Sequence, residues 1–532
     1  MLIPEVKKQV ALSAACKIPK RITYTYKKGC AEAELGACAL ASFVRDAEQS
    51  DCGAFISFAP DATLEDRDEI YSVRVLEDGI LIGFRDARGA VNAAATVALM
   101  LRKDQLYPCE IVDYPSCEYR SLMIDMARGL PTYEDIEAVV RYMALAKFNR
   151  LHLHLCDSKG PCFVSDAVPE YKYMGEGGQC EKAMLARIDE LCRSYAIEIV
   201  PEIEIPAHAT ALCSVHPEFK CGVENAHVWT LCPSSEGVWE FYEALVAEVA
   251  QTFPRSEYIH IGSDELEFLD QAKPRICHWD ECPKCRALRE REGLADKREE
   301  FYYLINRMHD IVRAHGKKMM MWNDQIDVSK EVPISRDIIV EFWRVAKEGR
   351  GPNKGCSLDK LLDHGFKVIN ASFENAYFDV EAYMSSEKMK TWSPLVKQRG
   401  ECAQSIIGAE ACAWEFGNYG EYPFYGYVAP SVIAIFGDKL WGLRDMEYTD
   451  QYKAALSEFI FGTAELSEVF DYVGDVIPPR CADRYTYADA STLSPESIHK
   501  CIDKLKTLPT CFSTSKYVYL LEKIAETCGI SS

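Results

Sequence analysis

The sequence contains no run of about twenty apolar residues, so it offers no segment long enough to cross a bilayer as a helix. Its start, MLIPEVKKQVALSAACKIPK, lacks the continuous apolar core of a secretory leader. Positive charge is short as well. With 60 Lys and Arg against 82 Asp and Glu, the formal net charge is −22. Such a chain repels phosphate backbones and anionic lipid at long range, so neither nucleic acid nor a membrane is an expected partner. The chain as given reads as cytoplasmic, although a start with a replaced Met is also what removal of a signal peptide leaves.

Cysteine, in contrast, is abundant: 23 residues are scattered along the chain instead of being packed into the loop-rich frame of a small secreted module. Mostly free thiols in a reducing compartment are expected. Cys277, His278, Cys282 and Cys285, in ICHWDECPKCRAL, form the one group with metal-ligand spacing, and a structural zinc could use them. No second Cys-x-x-Cys completes a four-thiolate set, so the plainer expectation is a loop of free or paired thiols without metal. No cofactor is called for.

The 532 residues, 48% hydrophobic and 27% charged, suffice for a large core and exceed one ordinary domain. From about residue 120 to 441, apolar β-rich runs alternate with amphipathic stretches, the pattern of a parallel sheet with crossover helices. Eight runs begin at Ser121, Arg150, Glu198, Tyr258, Lys318, Ile338, Lys367 and Ser405, and eight is the number that closes a barrel. Thr132 after Pro131 starts one intervening helix; Ser357 and Gly365 bracket another. The expected fold is α/β: residues 1–112 a small N-terminal α/β domain, 113–442 a (β/α)8 TIM barrel, and 443–532 a helical region with a packing role.

Active sites of such barrels lie at the C-terminal ends of the strands. There the sequence presents Asp125 and Arg128, Asp157, Glu204 and His208, Asp264 and Glu265, Trp322 and Asn323, Trp343, Tyr377 and Asp379, and Trp414 and Glu415. Aromatic faces pack against the C–H face of a pyranose while carboxylates and an arginine take its hydroxyls, so the mixture suits carbohydrate. Taken singly, each residue has a plainer role: the tryptophans as packing, Arg128 as an ion pair, Asp125 and Glu204 as loop holders or caps. The adjacent pair Asp264–Glu265 is the most informative. Ordinary glycosidases place two carboxylates on opposite sides of the scissile bond, which sequence neighbours do not easily do. If Glu265 donates the proton, Asp264 is placed to orient a group on the same sugar, and a 2-acetamido substituent is a nucleophile that the substrate itself carries.

The residues in question resemble glycoside hydrolase family 20, the β-N-acetylhexosaminidases. The likeness runs over roughly residues 80–441 and is carried, in family order, by YRSLMIDMARG, MALAKFNRLHLHLCDSKG, IEIVPEIEIPAHATAL, YIHIGSDEL, KKMMMWNDQI, IVEFW, ENAYFD and IIGAEACAW. The resemblance implies a retaining exo-β-N-acetylhexosaminidase that removes terminal N-acetylglucosamine or N-acetylgalactosamine from a glycan or glycoconjugate through an oxazolinium intermediate. It implies that Glu265 is general acid and then base, and that Asp264 holds the acetamido N–H. Tyr377 would donate to the acetamido oxygen, and Arg128 and Asp379 would bind ring hydroxyls. Trp322, Trp343 and Trp414 would wall the pocket, with Glu415 a further substrate contact. Asp157 and His208 resemble the pair that reaches Glu265 from behind. A general acid working near neutral pH needs a raised pKa, which burial beside Asp264 would supply. The chain departs from the family's usual pattern at Gly262-Ser263-Asp264-Glu265, Ala127-Arg128-Gly129 and Asp157-Ser158-Lys159-Gly160.

Two other readings make different demands. A metal-dependent barrel hydrolase would gather His152, His154, His208, His260 and Asp264 around one ion, although His152 and His154 precede the strand end. A non-catalytic N-acetyl-sugar-binding protein would keep the fold without turnover. Epimer preference, natural linkage and oligomeric state are not encoded in local motifs.

Overall fold

Strands covered on both faces bury nearly all their side chains, and in the eight runs apolar residues such as Leu151, Leu153, Ile199, Ile259 and Val340 alternate with buried His152, His154, Glu202, His260 and Glu341. A computed structural model describes the chain except residues 12–15, 104, 176–177, 267–276, 324, 344–356, 379–385, 397–399, 401–402, 415–429, 474–493 and 528–532. The runs form eight parallel strands: Tyr119–Asp125, Arg150–His154, Glu198–Glu202, Tyr258–His260, Lys318–Trp322, Ile339–Phe342, Lys367–Asn370 and Ile406–Ala413. Each pairs with the next in chain order. The eighth then pairs with the first, from Gly408 opposite Tyr119 to Ala413 opposite Ile124, which closes the (β/α)8 barrel.

Helices between the strands begin where the chain supplies caps. The Thr132 hydroxyl accepts from the Asp135 N–H ahead of Tyr133–Leu145, and the Asp296 carboxylate accepts from two N–H groups ahead of Lys297–Ala314. Ser357 caps Leu358–Asp363, and Gly365 follows it with φ +82°.

Ahead of the barrel, a seven-stranded mixed sheet is built from strands between Lys8 and Asp113, with helices Ala31–Phe43 and Ala87–Met100 packed together beside it. Helix Pro430–Gly442 follows the eighth strand, and among the described residues helices Asp450–Phe461, Val469–Val473, Pro495–Thr507 and Phe512–Thr527 come after it. Arg102, just beyond the Ala87–Met100 helix, donates to the carbonyls of Glu458 and Phe459, tying the C-terminal helices back to the N-terminal part. Among the described residues no helix is long and apolar enough to cross a membrane.

Candidate active site

At the end of the second barrel strand the chain turns back in a two-residue pairing, Cys156 opposite Pro161 and Asp157 opposite Gly160. Gly160 sits at φ +105°, where a Cβ would stand 2.5 Å from the Lys172 carbonyl oxygen, so only glycine fits. This tight turn aims Asp157 across the barrel mouth. Arg128 bridges Asp125 at 2.9 Å and Asp157 at 2.6 Å. Asp125 also accepts from the N–H groups of Ala127 and Arg128, so it holds the loop that presents the guanidinium.

From Asp157 the charge chain continues inward: His154 Nε2 lies 3.1 Å and His208 Nδ1 3.2 Å from its Oδ2. Burial alone would raise the Asp157 carboxyl, but Arg128, His208 and His154 outweigh it and hold the group well below the ordinary carboxylate range. Burial likewise pulls His208 down, yet the charges of Asp157 and Asp264 keep its imidazolium form well above the usual 6.5. The other ring nitrogen, Nε2, faces Asp264 Oδ2 at 3.6 Å and Glu265 Oε2 at 3.7 Å. Arg128, Asp157, His208 and the Asp264–Glu265 pair thus form one alternating series of positive and negative groups.

Asp264 and Glu265 are neighbours that reach the same imidazole because the backbone after the fourth strand is contorted. Gly262, Ser263 and Glu265 all have positive φ, at +63°, +70° and +48°, and His208 opposite has +51°. Non-glycine residues in that region cost on the order of 1–3 kcal/mol each and persist where surroundings over-determine them. Gly262 is obligatory for a second reason, since a Cβ there would stand 2.0 Å from Glu204 Oε2. Burial, and then the Asp264 charge, push that Glu204 carboxyl well above its usual range. Among the described residues, Asp264 Oδ1 is buried without a hydrogen-bond partner.

The remaining wall is aromatic. A two-residue strand, Tyr377–Phe378, pairs parallel with Cys412–Ala413 of the eighth strand and so sets Tyr377 beside Trp414, ring centroids 6.1 Å apart. Tyr377 stacks on Trp343 at 5.9 Å, and Trp414 lies 6.0 Å from Trp322. The Arg128 guanidinium covers Trp414 at 5.0 Å. Burial holds the Tyr377 hydroxyl well above 10, so it stays a donor at any physiological pH. Trp322 is fixed from below, its Nε1–H donating to Glu202 at 2.7 Å.

Under this wall the barrel interior holds buried charge beside hydrocarbon such as Met123, Val200, Met320 and Ile369. His152 Nδ1 pairs with Glu410 at 2.7 Å, and His260 Nδ1 with Glu202 at 2.9 Å; Glu202 also receives His154. Burial opposes charging Glu202, but His154, His260 and His152 together hold it well below its ordinary range. The five groups of a metal-dependent site therefore do not share one point: His152, His154 and His260 meet Glu202 in the interior, whereas His208 and Asp264 meet at the mouth with Glu265.

The structure brings together Arg128, Asp157, His208, Asp264 and Glu265, and joins Trp322, Trp343, Tyr377 and Trp414 in one aromatic group that Arg128 adjoins at Trp414. Asp379 and Glu415 lie outside the described residues. Sequence reasoning passed over Trp229, whose Nε1–H donates to the Glu265 carbonyl at 2.9 Å and whose ring packs 4.4 Å from that of His208. Trp229 stands on a long excursion after the third strand, away from any strand end, and no local signal marks it. The metal candidates need correction as well: Cys282 and Cys285 gather with Cys221 and Cys232, and Cys277 and His278 lie outside that group. Two of the four sulfurs come from a segment some fifty residues earlier, a proximity made by topology and not by spacing.

The model of the glycosyl hydrolase family 20 catalytic domain matches residues 117–418. A β-hexosaminidase of Akkermansia muciniphila is 29% identical over 342 residues, covering 58% of this chain and 64% of that protein. The human β-hexosaminidase subunit beta is 25% identical over 427 residues, covering 76% and 70%. The aligned part of the chain spans just under two-thirds of the length of the Akkermansia relative and 52% of a Porphyromonas gingivalis β-hexosaminidase. Among solved structures, a Bacteroides fragilis β-N-acetylhexosaminidase superposes with a TM-score of 0.72 at 21% identity, covering 87% of this chain and 95% of that one. A Vibrio harveyi exo-β-N-acetylglucosaminidase in complex with N-acetylglucosamine gives 0.71 at 19%, covering 86% and 76%. These structural likenesses carry the barrel fold, and the family model covers more than half of the sequence: the chain belongs to glycosyl hydrolase family 20.

Proposed function

We propose that the chain is a retaining exo-β-N-acetylhexosaminidase in which the substrate's acetamido group is the nucleophile. The observation that carries the reading is the convergence of Asp264 and Glu265 on one imidazole, His208, whose other ring nitrogen meets Asp157, beside a linked aromatic group of Trp322, Trp343, Tyr377 and Trp414. Two adjacent carboxylates on one side supply an acid and an orienter, not an acid and a nucleophile on opposite faces of the sugar. The Oδ1 of Asp264, buried and without a hydrogen-bond partner among the described residues, suits an acetamido N–H, and the Tyr377 hydroxyl suits the acetamido oxygen.

In this mechanism the acetamido oxygen attacks C1 while Glu265 gives its proton to the leaving oxygen. The ring-closed cation is stabilised by Asp264. Glu265 then takes a proton from water, which attacks C1 from the face the aglycone left, so configuration is retained. Arg128 binds ring hydroxyls, as would Asp379, and Trp322, Trp343 and Trp414 hold the ring and the N-acetyl methyl; Glu415 is a further contact. No cofactor enters these steps.

The test is release of 4-nitrophenol from the β-N-acetylglucosaminide, the β-N-acetylgalactosaminide and the plain β-glucoside. Cleavage of the acetamido sugars alone is expected, with kcat reduced on the order of 10²–10⁴-fold in Glu265→Gln. Equal cleavage of the glucoside overturns substrate assistance. Binding of N-acetylglucosamine without turnover would make the chain a sugar-binding protein instead.

A further inference from the structure

Four cysteines from two distant segments converge behind the loop that carries Glu265. Cys221 and Cys232 lie on the excursion after the third barrel strand, while Cys282 and Cys285 open helix Pro283–Glu292. One sulfur of each lies within 4.8 Å of all the others, and all four residues are buried. Cys232 Sγ stands 3.4 Å from Cys285 Sγ and 3.8 Å from Cys282 Sγ, and none of the four is in a disulfide.

A disulfide requires sulfurs about 2.05 Å apart. Four thiolates at about 2.3 Å from a central zinc instead sit at the corners of a tetrahedron with edges of about 3.8 Å. The separations of 3.4 and 3.8 Å from Cys232 Sγ lie near those edges, and all the others are under 4.8 Å. The local chemistry matches too. Cys282 is the N-cap and Cys285 stands in the first turn of a helix with Pro283 at its start, so both sulfurs sit where unpaired backbone N–H groups favour negative charge. The Gly222 N–H, beside Cys221, donates to Cys282 Sγ at 3.3 Å.

We propose that Cys221, Cys232, Cys282 and Cys285 bind one structural zinc ion. Binding replaces four S–H protons, which leave to solvent, by four Zn–S bonds, with no change of oxidation state. Four protein ligands fill the tetrahedron and leave no position for water, so the ion supplies no catalysis of its own. What it does is close the excursion onto the segment after the fourth strand. Between the two run Thr230 Oγ1 to the Leu266 carbonyl at 3.1 Å and Trp279 Nε1 to the Leu231 carbonyl at 2.8 Å. Trp229, which supports both His208 and the Glu265 backbone, stands three residues from the ligand Cys232. The effect on turnover rests on the reading of Glu265 as the acid; the metal site does not.

The test is metal analysis of the full chain, purified without chelator from zinc-supplemented medium. About one zinc per chain is expected, released when the thiols are titrated with a mercurial. Cobalt exchanged into the site should give the intense visible bands of a tetrahedral thiolate complex. Cys221→Ser and Cys285→Ser should lower the stoichiometry, whereas His278→Ala and Cys277→Ser should not. A zinc-free chain with four reactive thiols, a disulfide mapped among these four, or iron in place of zinc would each overturn the assignment. Metal content is read without any substrate, so a chain that binds zinc but releases no 4-nitrophenol would refute the hydrolase reading and leave the zinc site standing.

Discussion

His208 lies between Asp157 on one ring nitrogen and the Asp264–Glu265 pair on the other, and its protonation joins them. Its folded pKa is raised above the ordinary 6.5, so its contribution to stability is complete below that value and is lost as pH rises through the raised one. Asp157 has the opposite sign: its contribution is complete above the ordinary 3.8 and is lost as pH falls through its lowered folded value. Between those windows the pair stays ionised. The His208 ring should therefore remain an imidazolium between about pH 6 and 8. Ring-nitrogen NMR checks this, because a resonance that titrates near 6.5 and vanishes in His208→Gln would break the chain of charges. Asp264 and Glu265 should act as one unit. Asp264→Asn and Glu265→Gln are each expected to lower kcat/KM on the order of 10²–10⁴-fold, and the double variant to lose no more than the worse single one. A multiplicative loss in the double variant would mean that they act independently. These acids were legible in the sequence because a barrel puts its strand ends at one mouth, so order along the chain translates into place.

The loops are less legible than the strands, for a physical reason. A strand's fate is written in its own hydrophobic run, whereas a loop's shape depends on partners that topology delivers. Nothing near Gly262 in sequence discloses that the Glu204 carboxylate lies where its Cβ would be, and nothing near Trp229 discloses that it will meet Glu265. Gly262→Ala tests how strongly that fourth-strand loop is held. The variant has a left-handed φ of +63° and a steric conflict with a buried carboxyl, so a loss of about 2 kcal/mol or more is expected, with a large fall in kcat. Gly316→Ala is the control: its φ is +71° but no atom lies within 4 Å of the added Cβ, so it pays only the conformational cost, about 1 kcal/mol. Urea denaturation and initial rates separate the two. Equal losses would show that Glu204 moves aside and that the loop's shape is not held by it.

At the scale of the whole molecule, the N-terminal sheet and the barrel are joined by buried charge. Asp113, last residue of the sheet's final strand, accepts from Tyr71 Oη at 2.7 Å, from Trp441 Nε1 at 2.9 Å and from Lys147 Nζ at 3.1 Å. Lys147 follows the first barrel helix and Trp441 lies in helix Pro430–Gly442, so three separate parts of the chain meet at one carboxylate. Nearby, Glu69 of the N-terminal part pairs with Arg120 of the first barrel strand and accepts from Asn149 at 2.8 Å. The sequence divides easily into a sheet region and a barrel region because their hydrophobic patterns differ, but a joint of isolated polar residues leaves no pattern to read. The joint lies at the N-terminal end of the barrel, opposite the candidate site, where residues serve stability and not chemistry. Asp113→Asn removes the carboxylate bonded to the buried Lys147 ammonium and leaves it only the more weakly acting Asp438, which costs about 3 kcal/mol. Because the joint grips both layers, calorimetry of the unaltered chain should show sheet and barrel unfolding in one transition. The variant should lower that transition as a whole while kcat of the folded fraction stays unchanged. A second transition in the unaltered chain, with the barrel's midpoint unmoved by the substitution, would mean that the sheet is an independent unit and that its buried ion pairs fix orientation without sharing stability.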